Sequence, residues 1–108
     1  MERELNRLAR LLREIAADAG YAMVYGPAPE SVAFCRRQYE RIARRLRMLD
    51  PSFDRLPDLP EDASPGAVRV IAREAAFCVE RTLRRMRRRS RADGDCLLTF
   101  FHRLFEPG

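Results

Sequence analysis

Along the first part of the chain, apolar residues recur at Leu5, Leu8, Leu12, Ile15 and Ala19. This 3-4-3-4 spacing places them on one face of an α-helix. Leu11 and Ala16 widen the stripe, Arg3, Arg7, Arg10 and Glu14 lie outside it, and Arg10–Glu14 is an i,i+4 pair. Two stops compete. Gly20 could cap the helix, but Ala22 and Met23 keep the phase and Gly26-Pro27 is the stronger break, which favours a first helix over about 2–25. Pro29 suits the first turn of a second helix. Its stripe of Val32, Cys35, Tyr39, Ile42, Leu46 and Leu49 is a strict heptad, closed by Asp50-Pro51, and predicts a helix over about 29–49.

Residues 50–64, DPSFDRLPDLPEDAS, hold three prolines, too many for a helix or a strand interior. Phe53, Leu56 and Leu59 recur at three-residue spacing. That pattern predicts a Pro-rich acidic strap lying on the other elements rather than a free tether. Ser64-Pro65 is a helix start, with a Ser N-cap and Pro at N1. Val68, Ile71, Ala75, Cys78, Val79, Thr82, Leu83 and Met86 then carry a third helix over about 64–91. Beyond Met86 the stripe would need Arg89 or Ser90, so the helix should overhang the core there. Ala92-Asp93-Gly94 reads as its end and Asp95 as the cap of a short fourth helix, about 95–105, that is apolar over most of its circumference. The expected fold is one all-α domain over 1–108: a four-helix, bundle-like arrangement of three moderate helices and one short one, with the strap between the second and third.

Composition is that of a globular chain, 46% hydrophobic and 34% charged. The N-terminus has no apolar run resembling a signal peptide, and no stretch approaches a membrane span, so a cytoplasmic protein is expected. Cys35, Cys78 and Cys96 are an odd count at wide spacing, and there is one histidine, so neither a disulfide framework nor a zinc site is expected.

The net charge is +5, and every basic residue is arginine. Lysine is absent, Asn6 is the one asparagine, and Ala, Pro and Arg abound; GC-rich codons account for arginine in place of lysine without any function. They do not account for its clustering. Residues 27–49 carry +4 and residues 67–92 carry +7, whereas residues 50–66 carry −4.

Two surfaces therefore stand out. One is cationic: Arg84, Arg87, Arg88 and Arg91, at i, i+3, i+4, i+7 spacing on the third helix, and Arg37, Arg41 and Arg44 on the second. Arginine forks suit phosphate and carboxylate, so a nucleic acid or an acidic partner fits. Residues 81–95 hold no aromatic for base stacking, so any nucleic-acid contact would be to the backbone and salt-sensitive. The other surface is apolar and aromatic: Tyr21, Met23, Tyr25 and Phe34, with Phe100, Phe101 and Phe105 near the C-terminus. These types are enriched at protein interfaces. The stretch Ile15-Ala16-Ala17-Asp18-Ala19-Gly20 resembles the first helix and turn of many bacterial helix-turn-helix regulators over six residues; it departs at Gly26-Pro27-Ala28-Pro29, where a recognition helix could not pass.

No catalytic constellation appears. His102 has no Ser, Cys or Asp placed to work with it, and Glu74 and Glu80 do not share a face. The sequence thus points to a non-enzymatic, protein-binding helical module without cofactor or metal, self-associating or a small subunit of a larger assembly. Nucleic-acid binding through the arginine faces is the alternative.

Overall fold

The computed structural model describes residues 1–26 and 29–105, with side chains through Arg91. It holds three α-helices, α1 (Glu2–Tyr25), α2 (Pro29–Leu49) and α3 (Pro65–Phe105), and a short 3-10 turn at Pro51–Arg55. There is no strand among the described residues.

The helix count corrects the four-helix expectation. α3 passes through Ala92-Asp93-Gly94 without a break and includes the stretch expected as a separate fourth helix. The physical reason is that Gly within a helix costs only about 1 kcal/mol relative to Ala, whereas a true break needs proline or a cap that outcompetes the backbone ladder. Gly20 behaves alike: α1 runs through it and stops at Gly26, whose φ of 90° only glycine adopts cheaply. No turn therefore exists at Gly20, where the regulator-like motif would need one.

Side-chain contacts set the topology. Arg13 meets Glu80 and Gly20 lies beside Arg69, so α1 and α3 are antiparallel. Arg45 binds Glu4, placing the end of α2 at the start of α1. The chain returns along α2. Arg47 Nη2 donates to the Leu56 carbonyl at 2.6 Å, Tyr39 Oη to that of Pro57 at 2.7 Å, and Arg36 to that of Glu61. As the connection advances, its partners on α2 step backwards. α2 and α3 are consequently parallel, both antiparallel to α1.

Phe53, Leu56 and Leu59 of this connection are buried in the core. Asp50 caps the 3-10 turn by accepting the Ser52 N–H at 2.8 Å, and Ser64 caps α3 by accepting the Ala67 N–H at 3.2 Å. The core joins Leu5, Leu8, Leu12 and Ile15 of α1 to Tyr39, Ile42 and Leu46 of α2 and Val68, Val79 and Leu83 of α3. The α1–α3 seam is lined by small residues. Ala9, Ala16 and Gly20 share the face of α1 that carries Arg13, and Ala72 and Ala76 share the facing side of α3. Small side chains let the two backbones approach closely.

The molecule is elongated, 73 × 25 × 16 Å. Continuing the antiparallel register from Arg13–Glu80 and Gly20–Arg69, the start of α1 lies level with the Arg87–Arg91 stretch. α3 then extends to Phe105, about 20 Å beyond it at 1.5 Å per residue.

Candidate interaction surfaces

Arg84, Arg87, Arg88 and Arg91 are all exposed, as are Arg81, Arg85 and Arg89. Among the α3 residues whose side chains are described, Leu83 is the last buried and Met86 the last packed against the core, so residues 87–91 stand clear of the core where the apolar stripe ends. Arg37, Arg41 and Arg44 are exposed on the side of α2 opposite Cys35, Ile42 and Leu46. None of these ten forms an ion pair among the described residues, where the pairs are Arg13–Glu80, Arg45–Glu4 and Arg47–Asp58. Arg84 adds only a weaker electrostatic pull on Glu80.

The acidic connection does not cover these arginines. It engages Arg36 and Arg47 instead, and largely through its carbonyls. The two arginine groups stand on the parallel helices α2 and α3.

The apolar cluster lies at the opposite end from the α3 overhang. Tyr21 (66% exposed), Met23, Val24, Tyr25 (72%) and Phe34 (53%) stand in solvent around the α1–α2 junction. Tyr21 and Tyr25, one turn apart, stack with ring centroids 4.4 Å apart. Tyr21 and Phe34 line a groove of about 500 Å3 together with Ala19, Ala22, Val32 and Val68, and with the acidic residues Asp18 and Glu30. Phe100, Phe101 and Phe105 have side chains outside the described residues.

Sequence reasoning missed Val24, Met48, Val70 and Phe77, which are all about half exposed or more. Val70 and Phe77 were legible in principle: they lie seven apart, off the Val68–Val79 stripe, with Arg73 between them.

Buried chemistry is sparse. No polar or charged residue is buried among those described. Burial pushes the Cys35 thiol up and holds its proton on, with the Asp18 charge adding to the effect. Burial likewise raises Tyr39 to about 12. Both shifts oppose nucleophilic use, which needs the ionised form. The described residues contain no cluster of His, Cys, Asp or Glu able to hold a metal, and no helix among them is long and apolar enough to cross a membrane. No protein-family model, curated protein or solved structure matches the chain.

Proposed function

We propose that this chain is a non-enzymatic, protein-binding helical module that associates with itself through the aromatic end at the α1–α2 junction. The observation carrying this reading is the exposure of Tyr21, Val24, Tyr25 and Phe34 at the α1–α2 junction, where Tyr21 and Phe34 line one groove. Large apolar residues left exposed together at one end of a molecule mark interaction sites, and Tyr and Phe are types that anchor interfaces. The sequence of residues 96–105, with Phe100, Phe101 and Phe105 on a helix that outruns α1, offers a second apolar segment to the same association. Free thiols at Cys35 and Cys78 suit a reducing compartment such as the cytoplasm.

Light scattering tests it across a micromolar concentration series. The wild-type chain gives a mass above 12.6 kDa that rises with concentration, and Tyr21→Ser/Tyr25→Ser/Phe34→Ser returns it towards the monomer. A constant monomer mass for the wild type rejects self-association.

A second reading, nucleic-acid binding, rests on the run of exposed arginines from Arg81 to Arg91. It requires an affinity that falls steeply with salt and is lost in Arg84→Glu/Arg87→Glu/Arg88→Glu. No binding to DNA or RNA at low salt rejects it.

A further inference from the structure

Two depressions on the α1–α3 face share a wall made by Arg69 and Arg73. The first, about 190 Å3, is completed by Arg13, Ala16 and Ala17 of α1. The second, about 480 Å3, is completed by Met23, Gly66, Val70, Glu74 and Phe77. One is cationic and the other largely apolar, and they adjoin.

The cationic half holds more positive charge than the protein neutralises. Arg13 donates to both carboxylate oxygens of Glu80, at 2.6 and 2.8 Å, and is thereby balanced. Arg69 and Arg73 accept no such partner among the described residues. At i,i+4 spacing their like charges repel along the helix, and an anion set between them relieves that repulsion. Their placement is also constrained. The Arg69 Cδ and Nε stand 3.5 Å from where a Cβ on Gly20 would be, so the arginine stem lies in van der Waals range of the α1 backbone across the seam.

The apolar half is built in a similar way. Met23 lies against Gly66, its Cε and Sδ 3.6 and 3.7 Å from the place a Gly66 Cβ would take. Val70 and Phe77 are 54% and 47% exposed, although each flanks a closed core. The Arg13 guanidinium carbon lies 5.3 Å from the centre of the Phe77 ring and marks the boundary between the halves. Glu74 lines the outer side of the apolar half, away from the α1 seam, and disfavours a second anionic group there. A volume of 480 Å3 falls within the range of about 300–1,000 Å3 typical of small-molecule sites.

The geometry points to a binding site for a single-chain anionic amphiphile, its one oxyanion held between Arg69 and Arg73 and its apolar chain lying over Met23, Val70 and Phe77. The site uses none of the arginines from Arg81 to Arg91. Apart from Met23 it shares no residue with the aromatic end, so it stands whether or not the chain self-associates.

Calorimetric titration of the full chain with decyl phosphate, kept below its micelle concentration, tests the site. Inorganic phosphate, decanol and decyltrimethylammonium are the comparison probes. Decyl phosphate binds saturably at one per chain, more tightly than any of the three. Arg69→Gln/Arg73→Gln weakens it about tenfold or more, as expected for losing charge-assisted contacts to an oxyanion. Val70→Gln weakens decyl phosphate also, while Arg84→Gln/Arg88→Gln leaves it unchanged. Circular dichroism confirms that each variant keeps its helix; should the double variant lose it, Arg73→Gln alone carries the charge test. Absence of saturable binding, equal affinity for inorganic phosphate or for the cationic amphiphile, or an equal loss in Arg84→Gln/Arg88→Gln would each overturn the assignment.

Discussion

Arg13 on α1 grips Glu80 on α3 through two nearly parallel hydrogen bonds of 2.6 and 2.8 Å, joining residues 67 positions apart in the chain. This is the fork geometry that arginine forms with a carboxylate and lysine cannot. It fixes the register of the antiparallel seam, which small side chains alone would leave free to slide.

Glu80→Gln should therefore cost little at neutral pH, about 0.5 kcal/mol, because the pair is largely solvent-screened. The pH dependence is more diagnostic. The hydrogen bonds from Arg13 hold the Glu80 carboxyl below its ordinary value of 4.5. Arg45 does the same for Glu4, and the Ser52 N–H for Asp50. A depressed folded-state value means that this stability is complete above about pH 4.5 and is lost as the pH falls through the lowered folded value. Urea midpoints of wild type and Glu80→Gln should differ at pH 7, and the difference should narrow as the pH falls below 4.5 towards about pH 3. A constant gap at both pH values would show that the carboxylate charge is not the source.

Ala76→Leu should be among the most damaging conservative changes in the chain. Ala76 has no exposed surface, and it sits where α3 meets α1 through small residues. Added methylenes there must push the helices apart, at a cost of about 1–3 kcal/mol. Thermal unfolding beside Ala17→Leu, an exposed position on α1, provides the comparison: the first variant melts well below wild type and the second close to it.

This seam also shows how far the sequence could be read. The heptad of α2 was legible because Cys35, Tyr39, Ile42 and Leu46 are large and alternate cleanly with charge, and these residues are buried. On α3 the stripe spacing favours Ile71, Cys78 and Met86, yet they are only partly buried, while Ala72 and Ala76 are fully so. Alanine occurs on any helix face, so its burial is set by what approaches it, and α1 lies far off in sequence. The same limit hid the Arg69–Arg73 wall: neither residue is unusual until Gly20 and Arg13 are brought beside it. Gly94 failed as punctuation because glycine marks a helix end only when its backbone turns, and nothing in its neighbours reveals that it does not. The exposure of Arg87–Arg91, by contrast, followed from the end of the apolar stripe at Met86.

Tyr39→Phe should loosen the connection between α2 and α3. Tyr39 is 1% exposed, and its hydroxyl donates to the Pro57 carbonyl at 2.7 Å, the middle of the three anchors along α2. Losing one hydrogen bond, with the carbonyl left unpaired, costs about 1 kcal/mol or somewhat more. Its alkaline signature has a definite sign. Burial raises the Tyr39 hydroxyl from 10.0 to about 12, so the unfolded chain ionises first. The associated stability is complete below pH 10 and falls as the pH rises towards about 12. Denaturant titrations at pH 8 and pH 11 should show wild type losing more stability than Tyr39→Phe over that interval. Equal losses would mean that the hydroxyl keeps its proton no better in the folded chain.

Gly94→Ala tests the continuity of α3 directly. The helix runs from Pro65 to Phe105 as one element, and Gly94 lies inside it. Alanine at an interior helical position restricts the unfolded chain and improves propensity, stabilising by about 0.5–1 kcal/mol. Helix content by circular dichroism should therefore hold or rise in Gly94→Ala and the melting temperature increase slightly. Gly94→Pro, which removes a backbone donor and clashes with the preceding turn, should lower helix content and cost about 3 kcal/mol in the stability of that segment. If Gly94 instead turned the chain between two helices, a positive φ would make alanine the strained residue, and Gly94→Ala would destabilise. The sign of that one substitution thus separates a single long helix from two, and with it whether residues 96–105 are carried out beyond the bundle or folded back onto it.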